Sequence, residues 1–377
     1  MSTLERNGLR TIGFDLGKSA IKELKGYWKA YARKIDPFPN IFAGRGIVIC
    51  AGGLRYFTCG WVTIKMLRRN GCKLPIELWH LGSELSAETI AEIEKFGVTC
   101  KNILDYGPTS LTGVMLKPLC IIKSSFKEVL FMDADNICVK DPTELFETAE
   151  YLEYGAVFWP DFWQTPADNP IWAITETPYI ASKEQESGQL LINKERVWKE
   201  LNLSLHFNEL SNIYHRLLMG DKDTFRFAWL ALKTPFFMTP EEPAVCGYPD
   251  SNNTFLGTTM IQHDRKGDFY FLHRNLLKWD VTRIGEKVWT SIKKFSPQTP
   301  GKEYIFSVSA NGHCYMDLVG KVNVTDFSIV FPGFEEICME YLEGLRSSGF
   351  YHRFLTYSHF AAHRYPKETL FSLDSPL

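Results

Sequence analysis

Two aspartates one residue apart, Asp133 and Asp135, follow the apolar run Val129-Leu-Phe-Met132 and precede Asn136. In an extended segment alternate side chains point the same way, so both carboxylates project to one side. Anions held that close repel each other unless a cation joins them. Hard carboxylate oxygens suit Mg²⁺ or Mn²⁺, ions that keep open positions for substrate phosphates. The pair therefore reads as a metal–diphosphate site, the alternative being an Asp-rich turn that caps the next element. A second cluster, Leu272-His273-Arg274-Asn275-Leu-Leu-Lys278-Trp279, offers an imidazole to complete a metal site with Asp135 and an ammonium to neutralise a diphosphate. His263, in Gln262-His263-Asp264, is a weaker rival for the imidazole role.

Other carboxylates sit near loop ends. Asp221 and Asp223, in Gly220-Asp-Lys-Asp-Thr224, open a helical stretch, where N-capping is the ordinary role for one of them. Glu186, in Glu186-Ser-Gly-Gln189, opens a strand. Any of these could face the anomeric carbon of a sugar. The cluster Phe158-Trp159-Pro160-Asp161-Phe162-Trp163 offers aromatic faces for sugar C–H surfaces beside a carboxylate for hydroxyls; a buried aromatic corner is the alternative. Gly52-Gly53 ends an apolar strand and suits a loop that approaches a ligand closely, with Tyr56 available to stack on a base. A plain tight turn accounts for these glycines equally well. Gly44-Arg-Gly46 precedes its strand, the wrong context for a dinucleotide fingerprint.

These residues need a frame that brings loop ends together. From residue 44 the pattern alternates strand and helix. Strand 47–51 leads to a helix of about 17 residues ending at Asn70-Gly71, the signature of a left-handed C-cap. Strand 75–81, helix 86–96, strand 98–104, helix 116–124 and strand 128–132 follow. Such alternation predicts an α/β fold: a mostly parallel sheet with helices on both faces, Asp133 and Asp135 at its C-terminal edge where open α/β folds bind ligands. Residues 160–185 read as irregular; strands near 186–193 and 269–272 and helices 221–233 and 334–345 come later. Before residue 44, Ile21, Leu24, Trp28, Tyr31 and Ile35 share one helical face, predicting a helix that packs on the main domain or lies on a membrane surface. The expected division is an N-terminal helical segment and linker at 1–43, a catalytic domain at 44–280, and a C-terminal extension at 281–377 packed on it.

Composition narrows the class. Among 377 residues, 42 Lys+Arg stand against 44 Asp+Glu, a net charge of −2 that excludes a basic nucleic-acid footprint. Nine cysteines are scattered without a C-x-x-C pair, which supports neither a disulfide framework nor a zinc site. No apolar run approaches the ~18 residues of a membrane span, and the first ten residues lack a signal-peptide apolar region. As written, the chain reads as cytoplasmic, with peripheral membrane contact through its basic N-terminal helix as an option.

Taken in order, the segments GRGIVICAGG, LRRNGCKLPIELWHLG, SSFKEVLFMDADN, DPTELF, YGAVFWPDFW, ESGQLLINK, GDKDTFRFAW and FLHRNLLKW resemble the Mnn-type α-mannosyltransferases that elongate fungal mannan. The resemblance runs from Gly44 to Trp279. It implies a GT-A glycosyltransferase fold, a Mn²⁺ (or Mg²⁺) cofactor, a nucleotide-sugar donor (GDP-mannose in the family), a glycan acceptor, and transfer with retention of the α configuration. Residue by residue, it implies that Asp133 touches the nucleotide and Asp135 the metal, with His273 as a third metal contact. It places Asp221 in the acidic turn where donor and acceptor meet, and Lys117 at a basic donor-side position. Together with the residue reading, the expected site comprises catalytic Asp221, Glu186 and Asp223; donor-binding Gly52, Gly53, Tyr56, Lys117, Asp133 and Lys278; acceptor-binding Trp159, Asp161, Trp163 and Gln189; and metal ligands Asp133, Asp135 and His273. The family's enzymes are usually Golgi type II membrane proteins, so the Golgi lumen is the expected setting if an anchor has been removed. Three other readings remain open: a UDP-sugar donor, a D-x-D phosphohydrolase, and a non-catalytic glycan-binding module. The phosphohydrolase motif normally continues with a hydroxyl residue, where this chain has Asn136-Ile137-Cys138.

Overall fold

The computed structural model describes residues 2–364. Its central sheet has seven strands in the order Phe237–Met238, Ala156–Pro160, Gln185–Asn193, Glu128–Asp133, Arg45–Cys50, Ile76–His80 and Val98–Asn102. All run parallel except Gln185–Asn193, which is antiparallel to both neighbours. Strands buried on both faces read as continuous apolar runs, and Ile47, Val48 and Ile49, like Val129 to Met132, are fully enclosed. The expected alternation of strand and helix from residue 44 is therefore what the chain adopts. Helix Gly53–Arg69 has 17 residues and gives way to Gly71 at φ +90°, where glycine is favoured. Register sets Cys50 beside Asp133 and Met132 beside Gln189, so the D-x-D pair, the Gly52-Gly53 turn and the start of the antiparallel strand share one sheet edge.

A second, antiparallel sheet of eight strands stands against this one. It draws strands from both sides of residue 280: Ala244–Pro249, Phe255–His263 and Phe269–His273 pair with one another and with Ser291–Phe295 and Cys314–Val319. One pairing matters most for the site. Phe269–His273 runs antiparallel to Asn136–Cys138, with His273 opposite Asn136, which carries the imidazole to the D-x-D turn.

Helix Lys18–Lys34 packs on the main body: Leu24 and Trp28 are buried, and Trp28 Nε1 donates to the Ile174 carbonyl at 2.8 Å. The apolar face that a membrane surface would need is thus occupied. Among the described residues no helix is long and apolar enough to cross a membrane. Within 160–185, expected to be irregular, the chain forms the short helix Ile171–Thr175. Helices Trp198–Glu209 and Ser211–Leu218 have no counterpart in the sequence expectation. The first buries Glu200, Leu201, Leu203, Ser204, Leu205 and Phe207, side chains on nearly all its faces, so no one-sided stripe marks it.

The amphipathic helix Phe334–Arg346 lies where its pattern predicts, on helix Gly53–Arg69. Cys338, Leu342 and Leu345 join the core of Phe57 and Trp61. Helix Gly349–Arg364 follows, with Phe350 on Trp61 and Phe354 on Phe57. Residues 365–377, the end of the aromatic- and His-rich C-terminal stretch, lie outside the described residues. Leu342→Ala deletes a fully buried side chain from this shared core, which costs about 2–5 kcal/mol. The expected readout is a lower urea midpoint with a single transition; an unchanged midpoint would place the helix outside the core.

Candidate active site

The D-x-D turn is tied down from two sides. Thr63 Oγ1, on helix Gly53–Arg69, donates to the Ala134 carbonyl at 2.6 Å. The backbone N–H of Arg274 donates to the Asp135 carbonyl at 2.9 Å. Gly60 lets that helix come close, since a Cβ there would meet the Ala51 Cβ at 3.0 Å. The strand end thus delivers two carboxylates on a backbone with little freedom to retreat.

Each aspartate has its own lysine. Lys117 Nζ lies 2.9 Å from Asp133 Oδ2 and 3.3 Å from Asp221 Oδ2. It also donates to Ser187 Oγ at 3.0 Å, and Ser187 Oγ donates in turn to Asp221 Oδ2 at 2.9 Å. Lys278 pairs with Asp135, its ammonium 5.7 Å from the ring centre of half-buried Tyr56. His273 sits between the carboxylates, with Nε2 3.2 Å from Asp135 Oδ1 and 3.7 Å from Asp133 Oδ2, and Nδ1 3.7 Å from Glu186 Oε1.

Burial and charge oppose each other here. Burial disfavours the charged form of every group, and the partners decide which groups stay charged. Burial lifts Asp133 above its usual range, partly offset by Lys117 and His273. Burial also works against ionised Asp135, but Lys278 and His273 outweigh it and hold this carboxylate well below the usual range. Glu186 is raised by burial. Burial works against the His273 cation, yet the surrounding carboxylates raise its affinity for a proton.

A hard divalent cation fits this set. One ligand atom each from Asp133, Glu186 and His273 lies within 4.8 Å of the others. Adjacent ligands of an octahedral ion at ~2.1 Å stand ~3 Å apart, close to the spacing of His273 Nε2 from the two aspartates. Four carboxylates (Asp133, Asp135, Glu186 and Asp221) against two ammoniums leave two negative charges when the imidazole is neutral, the charge of a divalent ion. The ligands expected from sequence meet at His273, and Glu186, expected in a catalytic role, stands among them.

The structure distributes the other expected residues unevenly. Gly53 takes φ +67° at the turn into the helix, and Gly52 packs on the half-buried Glu84 carboxylate with no room for a side chain. Trp159 belongs to the core: its Nε1 donates to the His263 carbonyl at 2.8 Å and its ring packs edge-on to Phe271 at 5.2 Å. Trp163 is buried against Tyr304. Neither presents a face to a sugar, because this aromatic segment is wedged between the two sheets. Asp161 pairs with Lys222. Gln189 is buried, its Oε1 accepting from Asn136 Nδ2 at 2.6 Å. Asp223 is enclosed as well, receiving Arg226 and, at 2.8 Å, the N–H of Gln185. Neither Asp221 nor Asp223 caps its helix through the side chain. His263 is buried with both ring nitrogens unpartnered, and burial pushes it down to about 4.

Ser187, Asn136, Gly188, Lys222 and Arg10 were not singled out by sequence. Gly188 carried a usable signal, since an isolated glycine in an apolar strand marks a close approach. A Cβ there would lie 2.5 Å from the His273 ring. Arg10 and Lys222 both hold the fully buried Glu184.

Residues 44–183 and 173–264 match the mannosyltransferase family Mannosyl_trans3. The chain belongs to this family. Among relatives of this chain, the alpha-1,2-mannosyltransferase MNN24 of Candida albicans is 28% identical over 293 residues, 64% of this chain and 41% of its own length. The alpha-1,2-mannosyltransferase MNN2 of Saccharomyces cerevisiae is 28% identical over 305 residues, 67% of this chain and 50% of its own. The chain spans about half the length of the relatives it matches. The solved structure of the glycosyltransferase GlyE of Streptococcus pneumoniae aligns with 52% of this chain and 45% of its own at TM-score 0.35 and 16% identity. The mostly parallel sheet flanked by helices, with the carboxylate pair at its C-terminal edge, is the α/β layout expected from the sequence.

Burial alone would raise Glu184, but Lys222, Arg10 and Arg226 overcome it and hold the carboxyl at about 2. A carboxyl depressed in the folded state binds fewer protons than in the unfolded chain, so its contribution, about 3 kcal/mol by linkage, is complete above the ordinary glutamate range and fades as pH falls toward 2. The stability gap between the native chain and Glu184→Gln is therefore expected to shrink on acidification below pH ~4.5, measured by denaturant titration at a series of pH values. A gap that stays constant would remove the charge pairing as its cause.

Proposed function

We propose that this chain is a metal-dependent retaining glycosyltransferase that moves an α-mannosyl unit from GDP-mannose to a glycan hydroxyl. One observation carries the reading: Asp133, Asp135, Glu186 and His273 converge at the C-terminal edge of the sheet between two fixed lysines. Family membership supports the reaction class, and the names of the relatives, alpha-1,2-mannosyltransferases, support mannose as the transferred sugar.

Asp133, Asp135 and His273, with Glu186 beside them, would hold Mn²⁺ or Mg²⁺. Such an ion supplies charge for the diphosphate that departs, the main electrostatic task of the reaction. The protein's own groups do the rest. Lys278, 21% exposed, is the more accessible of the two ammoniums and would meet a diphosphate, with Tyr56 beneath it and Gly52-Gly53 at the neighbouring turn. Lys117 stays inside and fixes Asp133 and Asp221 relative to each other. Asp221, oriented by Ser187, and Glu186 would orient an acceptor hydroxyl or shield positive charge at the anomeric carbon.

Asp135→Asn keeps the shape and removes the charge. It is expected to lower transfer by at least about 10²-fold and to abolish Mn²⁺-dependent stabilisation by GDP-mannose, with the circular dichroism spectrum retained. Near-normal turnover would overturn the metal assignment. In a thermal-shift panel of nucleotide sugars with and without Mn²⁺, GDP-mannose plus Mn²⁺ is expected to raise the melting temperature most. A larger rise with a UDP-sugar would overturn the choice of donor.

A further inference from the structure

Next to the carboxylate site lies a second set of charges that the proposed reaction does not use. Arg10 Nε donates to Glu184 Oε1 at 2.7 Å, and Arg10 Nη1 donates to the Leu217 carbonyl at 3.0 Å. The other oxygen of Glu184 receives Lys222 Nζ at 2.7 Å, and Lys222 also pairs with Asp161. Asp223 takes the Arg226 fork through Nε and Nη2, both at 2.9 Å. Thr165 Oγ1 links the halves, 2.9 Å from Glu184 and 3.3 Å from Asp223. Three cations and three carboxylates balance, and all are almost wholly removed from water. In such a set each member leaves an uncompensated charge if it is lost.

The network borders the carboxylate site at two points. Glu184 precedes Glu186 and Ser187 on the antiparallel strand. Lys222 and Asp223 directly follow Asp221. Between Leu217 and Asp221 the backbone turns sharply: Met219 has φ +54° and Gly220 φ +90°. A non-glycine residue in the left-handed region persists only where its surroundings hold it there. The Leu217 carbonyl, just before this turn, is gripped by Arg10 and by Asn169 Nδ2 at 3.0 Å. Arg10 itself comes from strand Arg10–Ile12, outside the residues 44–264 shared with the family.

We propose that Arg10 is a positioning residue for the acceptor side of the site. By joining Glu184 to the Leu217 carbonyl, it locks the start of strand Gln185–Asn193 to the left-handed turn before Asp221. The spacing of Glu186 and Ser187 from Asp221 is thereby set by a residue of the N-terminal segment that touches none of them.

The activity arm of the test rests on the mannosyl-transfer reading; the exchange arm does not. Arg10→Lys keeps the charge but cannot serve Glu184 and the Leu217 carbonyl together, and Arg10→Met removes both contacts. For Arg10→Lys, hydrogen–deuterium exchange is expected to quicken at 184–188 and 217–224 and to stay native at 45–50 and 334–346. Its kcat for transfer is expected to fall at least tenfold, with the KM for GDP-mannose and the Mn²⁺ midpoint within twofold of the native chain. Arg10→Met is expected to do the same more strongly. If Arg10→Met does not fold, Arg10→Lys alone decides. Native exchange at 184–188 and 217–224 in Arg10→Lys, or faster exchange throughout the molecule, would overturn the proposal. A native chain that transfers nothing from GDP-mannose would defeat the functional reading, leaving the exchange arm to judge Arg10.

Discussion

Four carboxylates crowded at one sheet edge are the constraint on which the site depends. Asp133, Asp135, Glu186 and Asp221 would drive one another apart or take up protons if the chain placed them there alone. Lys117, Lys278 and His273 make the arrangement tenable, and each must be fixed from a different part of the fold. Lys117 comes from a helix on one face of the central sheet. Lys278 and His273 come from the end of a strand in the second sheet and the loop beyond it. Local repulsion therefore becomes a requirement on the global architecture.

That requirement explains why the two sheets are stitched together where they are. The short pairing of Asn136–Cys138 with Phe269–His273 is the seam. It fixes the imidazole opposite the D-x-D turn, and the N–H of Arg274 continues it by binding the Asp135 carbonyl. Arg274 then packs against the edge-to-face pair Trp279 and Trp289, its centre 3.9 Å and 5.5 Å from their rings. Arg346, at the end of helix Phe334–Arg346, donates to the carbonyls of Trp279, Asp280 and Thr282. Helix Phe334–Arg346 thus supports the loop that carries Lys278.

What could be read in advance was what neighbours in sequence determine. An apolar run ending in Asp-Ala-Asp announces a buried strand and its exposed end within eight residues, and Asn70-Gly71 marks a helix stop by itself. His273 and Lys278 were legible because their types match the chemistry that Asp133 and Asp135 demand. The aromatic segment at 158–163 misled, since ring type says nothing about which side a sheet will cover, and Trp159 went to the core. Asp223 looked as useful as Asp221, two residues away; only Arg226, one helical turn on, shows that it is already occupied. The link from Lys117 to Asp221 and that from Arg10 to Glu184 span 104 and 174 positions, and no local pattern encodes a partner at that range.

The antiparallel strand Gln185–Asn193 serves two chemistries at once. Glu186 turns to His273 on one face while its neighbour Ser187 turns to Lys117 and Asp221 on the other. Both faces of this strand are buried and Leu190, Leu191 and Ile192 are interchangeable in character, so packing alone discriminates weakly against a one-residue slip. Such a slip would turn the Glu186 carboxylate to the face of Lys117 and Asp221 and the Ser187 hydroxyl to the face of His273. Alignment of this strand is thus policed by ionic and hydrogen-bonding matches more than by oil, and a chain that mispaired here would fold to nearly the same density with its two half-sites transposed.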